Sequence, residues 1–216
     1  MLLFVAMSDS TALTEARPPQ QARGRERFER ILEAAEAQLL ARGASELSIP
    51  ELASSLGYTR TSVYHFFPTP YAILNELTRR HLSAIEAQIE IMSQNTADKA
   101  WQDVIGEVSD LVSNYYNTHP VAGVLILGSA ASTESHKALQ LTVLSLGRYV
   151  DRLMRTVGVR LPSGELDAKS LTVELGTACL RLSWFLHGRI TDAYRAECKR
   201  AIMAYLNQFI TTENQP

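Results

Sequence analysis

Leu47-Ser48-Ile49-Pro50-Glu51-Leu52-Ala53-Ser54-Ser55-Leu56-Gly57-Tyr58-Thr59-Arg60-Thr61-Ser62-Val63-Tyr64-His65-Phe66-Phe67 reads as two short helices joined by a tight turn. Ser48 and Glu51 have the spacing of a capping box, in which the serine hydroxyl accepts from the Glu51 amide and the glutamate reaches back to the Ser48 amide. Leu47 and Leu52 flank the cap as a hydrophobic staple. Pro50 falls in the first turn, where the amide it lacks has no intrahelical partner. A helix therefore starts at Ile49. Leu52, Ala53 and Leu56 give it a narrow apolar face, and Ala53 is small enough for a second helix to cross closely. Gly57 supplies the sharp turn and its positive φ. Thr59 is placed to cap the second helix. On that helix Val63, Phe66 and Phe67 face inward, and Arg60, Thr61, Ser62, Tyr64 and His65 face outward.

This is the layout of a helix-turn-helix, whose second helix enters the major groove of DNA. A helical hairpin of purely structural use shares the Ala53/Gly57/Val63 spacing. The cap, the staple and the polar outer face together favour the reader.

Composition is consistent with this and excludes little. A formal charge of −2 over 216 residues rules out a protein coated in positive charge. Residues 17–81 carry nine arginines against seven carboxylates, and residues 82–216 carry twelve basic against fourteen acidic groups. The small basic bias thus falls on the segment with the motif, and arginine, which suits phosphate recognition, supplies all of it. Cys179 and Cys198 fit neither a zinc site nor a Cys-x-x-Cys pair; they read as buried thiols of a reducing, cytoplasmic compartment. No run has the length of a membrane span. Met1 to Met7 is apolar but short and lacks a basic flank, so it is not read as a signal peptide, and Met7 is an alternative start. Ser8 to Gln21 has no periodicity and reads as a disordered arm.

After Arg23 the periodicity is helical almost throughout, and the fold class is all-α. A first helix spans about 24–42, with Phe28, Ile31, Leu32, Ala35 and Leu39 inward and Gly43 at its end. A fourth opens at Thr69 with Pro70 at its first position and reaches about Ser93. Asp98 is expected to cap a fifth. Val121 to Leu127 is expected to be a fully buried helix. Further helices are expected over about 133–157 (Leu139, Val143, Leu146, Val150 and Leu153 inward), 165–187 and 190–211. The domains are a disordered arm (1–22), a three-helix DNA-binding head (23–68) and a helical ligand-binding and dimerisation bundle (69–216).

The segment 25–82 resembles the DNA-binding domain of TetR-family transcriptional regulators. The residues that carry the resemblance are Ile31-Leu32-Glu33-Ala34-Ala35, Arg42-Gly43, Leu52-Ala53, Leu56-Gly57-Tyr58 and Ser62-Val63-Tyr64-His65-Phe66-Phe67. It implies a homodimer on a near-palindromic double-stranded operator, usually a repressor released by a small molecule. It also implies that Arg60, Thr61, Ser62 and Tyr64 contact bases or phosphates and His65 a phosphate, with Ser48, Thr59 and Thr69 completing the interface. One departure stands out. Family members commonly carry a phosphate-binding lysine at the start of the fourth helix, where this chain has Pro70; Thr69 and the free amides there remain to hold a phosphate.

The last two helices are the dimer candidates, through Leu171, Leu175, Ala178, Leu182 and Phe185, then Ala193, Tyr194, Ala201, Ile202, Tyr205 and Phe209. Trp101, Tyr115, Leu125, Leu144, Tyr149, Trp184 and His187 are candidates for a pocket taking a lipophilic or aromatic effector, with Arg148 or Arg181 as anchors for a carboxylate. No P-loop, G-x-S-x-G, H-E-x-x-H or paired metal motif is present, so no catalysis, metal or cofactor is expected. The rival readings are a small-molecule-binding helical protein with weakened DNA binding, and an activator of the same architecture.

Overall fold

The computed structural model describes residues 13–94, 96, 99–128 and 133–210. Its elements are α1 (Ala22–Arg42), a 3-10 turn (Ala44–Glu46), α2 (Ile49–Ser55), α3 (Arg60–Phe66), α4 (Pro70–Ser93), α5 (Trp101–Thr118), α6 (Pro120–Ala122) running into a π-helical turn (Gly123–Leu127), α7 (Thr133–Thr156), α8 (Ala168–His187) and α9 (Asp192–Asn207). No strand occurs among the described residues. Two compact units result: residues 1–81 with 124–138, and residues 82–123 with 139–216. The division falls inside α4 rather than before it. Ile73, Leu74 and Leu77 are buried, so the first unit keeps the start of α4, which the boundary at 68/69 assigned to the bundle.

In the first unit, apolar residues at helical spacing on α1 (Phe28, Ile31, Leu32, Ala35, Leu39) are all buried. Phe28 stacks on Phe67 with centroids 4.6 Å apart and meets Phe66 edge-on at 5.9 Å. Gly43 closes α1 at φ 85°, its amide donating to the Leu39 carbonyl. Leu47 and Leu52 are buried on either side of the α2 cap.

The capping box does not form. Ser48 makes no side-chain cap hydrogen bond. Gln38 of α1 does that work instead: its Oε1 accepts from the Ser48 amide at 3.3 Å, and its Nε2 donates to Glu51 at 2.7 Å. Arg42 also donates to Glu51, at 2.7 Å. With an amide and a guanidinium already on its carboxylate, Glu51 binds these charge-complementary donors rather than turning back to Ser48.

The arm is also corrected in part. Thr69 Oγ1 donates to the Leu13 carbonyl at 2.8 Å, Asn75 Nδ2 to the Thr14 carbonyl at 3.0 Å, and the Arg17 amide to the Phe66 carbonyl at 2.8 Å. Residues 13–17 therefore lie against the end of α3 and the start of α4, because orphan backbone groups on both sides find partners there. Residues 1–12, with the alternative start at Met7, lie outside the described residues.

In the second unit the core gathers Trp101, Val104 and Ile105 of α5, Leu153 and Met154 of α7, Val159, Leu161, Ala168, and Leu206 of α9. α8 and α9 cross closely at Gly176, where a Cβ would stand 2.8 Å from Ile202 Cδ1. Asp167 caps α8, accepting from the Ser170 amide, and Thr191 caps α9, accepting from the Tyr194 amide. These two helices thus begin later than the periodicity suggested. Asn117 braces the turn between them from α5: its Nδ2 donates to the Ile190 carbonyl at 2.8 Å and its Oδ1 accepts from the Ile190 amide at 2.7 Å. Ser183 Oγ accepts from the Thr191 amide and donates to the Arg189 carbonyl in the same turn.

Three further expectations need comment. The segment after His119-Pro120 is a short α-turn followed by a π-turn, and Val124 and Leu125 are only half-buried. α5 starts at Trp101 without a side-chain cap; Asp98, named for that role, lies outside the described residues, as does the side chain of Leu139. Leu153 faces inward as expected, while Val143, Leu146 and Val150 are half-buried.

Candidate nucleic-acid interface

The reading surface is assembled from local chemistry first. Gly57 takes φ 67°, a left-handed conformation that costs a residue with a Cβ about 1–2 kcal/mol. Beyond it Thr59 caps α3, its Oγ1 accepting from the Ser62 amide at 3.2 Å. Val63 and Phe66 are buried. That fixes the rotation of α3 about its axis and leaves Arg60, Thr61, Tyr64 and His65 exposed, with Ser62 half-buried. Tyr64 is 43% exposed, unusual for a large apolar ring. Four groups able to donate hydrogen bonds or charge thus share one capped helix face, suited to base edges and phosphates.

Of the other named residues, Thr59 is exposed beside this face but its hydroxyl accepts the cap bond. Ser48 is half-buried at the start of α2. Thr69 is half-buried, its hydroxyl accepting from the Ala72 amide while donating to Leu13. It is therefore committed within the protein rather than held ready for a phosphate. Sequence reasoning passed over Arg27 and Arg30, whose guanidinium carbons stand 5.9 and 5.8 Å from the Tyr58 ring centroid. Arginines at i and i+3 on one helix were the available signal.

The pocket candidates fall in different settings among the described residues. Trp101 belongs to the core of the second unit. Tyr115 is buried and stacks on His119 at 4.1 Å. Trp184 lies across Gly123, where a Cβ would collide with its ring. Leu144, Arg148, Arg181 and His187 are exposed, and Leu125 is half-buried. Near Arg181 is Tyr116, whose hydroxyl is pushed above its ordinary range by burial and by Tyr115, against the pull of Arg181. A cavity of about 300 Å³ does lie in this unit, lined by Ser83, Glu86, Glu90, Leu146, Tyr149 and Arg152 among others; of the candidates only Tyr149 borders it. There Arg152 donates to Glu90 at 3.1 Å and sits 5.2 Å from the Tyr149 ring centroid.

The dimer candidates divide. Leu171, Ala178, Leu182 (48%) and Phe185 (82%) are exposed on α8 and Leu175 is half-buried; Leu186 (54%), which was not among the candidates, is exposed beside them. Tyr194 and Ala201 are half-buried. Tyr205, Ile202 and Phe209 pack partly against the core of their own unit, so much of the apolar face of α9 is used internally. Burial first, then the neighbouring Cys179, pushes the Cys198 thiol up to about 12. Among the described residues no group of three metal-ligating side chains is placed to hold an ion, and no helix is long and apolar enough to cross a membrane.

Residues 31–77 match the family model described as bacterial regulatory proteins, tetR family. No curated protein sequence matches the chain. Among solved structures, the fold is similar to a TetR-family transcriptional regulator from Streptomyces coelicolor, with TM-score 0.67 at 20% identity, covering 85% of this chain and 99% of that one. It is also similar to the multidrug binding protein EbrR complexed with imidazole, with TM-score 0.61 at 14% identity over 83% and 89% of the two chains. A transcriptional regulator from Saccharomonospora viridis in complex with choline gives TM-score 0.60 at 18% identity over 84% and 96%. Residues 31–77 thus carry the helix-turn-helix DNA-binding domain of the tetR family of bacterial regulatory proteins, and the chain shares the all-helical fold of the similar structures.

Proposed function

We propose that this protein is a cytoplasmic repressor that binds a near-palindromic operator as a homodimer and leaves it when a small molecule binds the helical domain. The observation that carries the reading is the exposed row Arg60, Thr61, Tyr64 and His65 on a helix whose rotation is fixed by Thr59, Val63 and Phe66. A reading helix of seven residues contacts only a few base pairs, so two copies related by a two-fold axis are needed for a useful site. The apolar row Leu182, Phe185 and Leu186 on α8 supports association through that helix, with Leu175, Tyr194 and Ala201 alongside, since exposed apolar patches mark interfaces. Imidazole and choline in two similar proteins support a small-molecule site here. The effector acts by favouring a spacing of the two heads that does not fit the operator, which needs only a few kcal/mol of differential affinity.

The test is operator binding by Tyr64→Ala. The ring is exposed, and the inward face of α3 is held by Val63 and Phe66, so the variant should keep its thermal midpoint. Its affinity for a duplex selected from a random library by the wild-type protein should drop by at least tenfold, the scale of one lost base contact of about 1–3 kcal/mol. Unchanged binding would count against α3 as the reader. With Pro70 in place of a cation and Thr69 engaged by the arm, the salt dependence should be shallow for this family, by roughly one phosphate contact.

A further inference from the structure

We propose that Arg80 is a positioning residue for the reading helix, acting through Glu29 and Phe28 without touching DNA. Three observations place it there. The first is a planar fork: Arg80 Nη1 and Nη2 donate to the two oxygens of Glu29 at 2.5 and 2.8 Å, joining α4 to α1. The second is a buried anchor. Arg80 Nε donates to Glu76 Oε1 at 2.8 Å, and that carboxylate, 8% exposed, also takes both donors of Arg79 at 2.7 and 2.9 Å. The third is a ring. The Arg80 guanidinium carbon lies 5.6 Å from the centroid of Phe28, which stacks on Phe67 and meets Phe66 edge-on. Phe66 is the last residue of α3 and Phe67 its C-cap.

The chain of contacts therefore runs from α4 through a charge-assisted fork to α1, and through one aromatic ring to the end of the helix that reads. Val63 and Phe66 set the rotation of α3; the ring of Phe28 sets where its carboxyl end rests. Arg80 lies against that ring and fixes the α1 segment that bears it. Only arginine does both, because the fork needs paired coplanar donors and the ring needs a flat cation. The three N–H groups committed to carboxylates leave Arg80 ill placed to serve as a phosphate contact.

The inference rests on the reading of α3 as a DNA reader, and its test separates the two. The probes are a duplex selected from a random library by wild-type protein and a scrambled duplex of equal length, titrated at several salt concentrations. Arg80→Lys keeps the charge but loses the fork. Glu29→Gln keeps the shape and removes a negative charge from the head. Both should weaken binding to the selected duplex on the order of tenfold, because a loosened α3 spends less time in the competent position, while binding to the scrambled duplex and the slope of log affinity against log salt stay at wild-type values. For Glu29→Gln this runs opposite to simple electrostatics, under which a less acidic head binds DNA more tightly. Phe28→Leu should cause a similar loss, and combining it with Arg80→Lys should add less than the sum. Thermal midpoints recorded alongside identify any variant that is unfolded; Glu29→Gln, at an exposed carboxylate, decides the matter if Arg80→Lys fails to fold. Tighter or unchanged binding by Glu29→Gln would overturn the proposal. A wild-type protein that selects no sequence would remove the reader itself, and this role with it.

Discussion

Gln38 sits half-buried on α1, ten residues before the serine whose amide it satisfies. One side-chain amide there serves the first turn of α2 with its oxygen and fixes Glu51 with its nitrogen. Gln38→Ala should therefore destabilise the protein by about 1–2 kcal/mol, the range of a lost cap plus a hydrogen bond to a charged group. Ser48→Ala should cost only a few tenths, since that hydroxyl makes no cap bond. Urea unfolding of the two variants side by side checks the contrast, and a larger loss for Ser48→Ala would restore the serine as the cap. The pair also marks what the sequence displays at this scale. Thr59 and Gly57 were legible because their roles depend on neighbours within a few residues. Gln38 was not, because the partner that outcompetes a local cap arrives only when α1 packs on α2.

Between elements, the fork joining α1 and α4 has a measurable acid signature. The hydrogen bond from Arg80, and then its charge, outweigh burial and hold Glu29 below its ordinary value of 4.5. Burial is the largest influence on Glu76 and opposes ionisation, but the bonds and charges of Arg79 and Arg80 together outweigh it and hold that carboxyl low as well. Both groups bind fewer protons folded than unfolded, so their stabilisation is complete above about pH 4.5 and is lost as pH falls through the lowered values. Thermal midpoints measured downward from neutral pH should drop across that window, and Glu29→Gln should flatten part of the drop; an equally steep profile in the variant would show that the fork is not its source. Helix periodicity revealed α1, α4 and α7 nearly to their ends, because each has one continuous apolar stripe. It misjudged the segment after Pro120, where a run of apolar residues looks the same in an α-helix and a π-turn, and it set α8 and α9 too early, since Asp167 and Thr191 cap them from inside the expected span. The proposed effector site is the part least legible in the sequence. Trp101 and Tyr115 are large and apolar for the sake of a core, and composition does not distinguish a ring that packs from a ring that binds.

For the molecule as a whole, the surface on which the proposed homodimer would depend is the exposed apolar row on α8. Phe185, at 82% exposure, is the residue on which association through this face should depend most. Phe185→Glu would place a charge in the centre of that contact, and sedimentation at micromolar concentration should give a monomer with an unchanged helical circular dichroism spectrum. Binding to the selected duplex should fall with it, because a single head spans half a site. A variant that still sediments as a dimer would move the interface elsewhere. The brace from Asn117 to Ile190 bears on how such a dimer lives and dies. It holds the turn beside Phe185 by bonds made within one chain, so that turn should keep its shape without a partner. Separation should then leave two folded protomers with sticky edges rather than two unfolding chains. Tagged and untagged protein mixed at native conditions should trade subunits without passing through denaturation, which would let a cell that holds two variants of this regulator form mixed pairs.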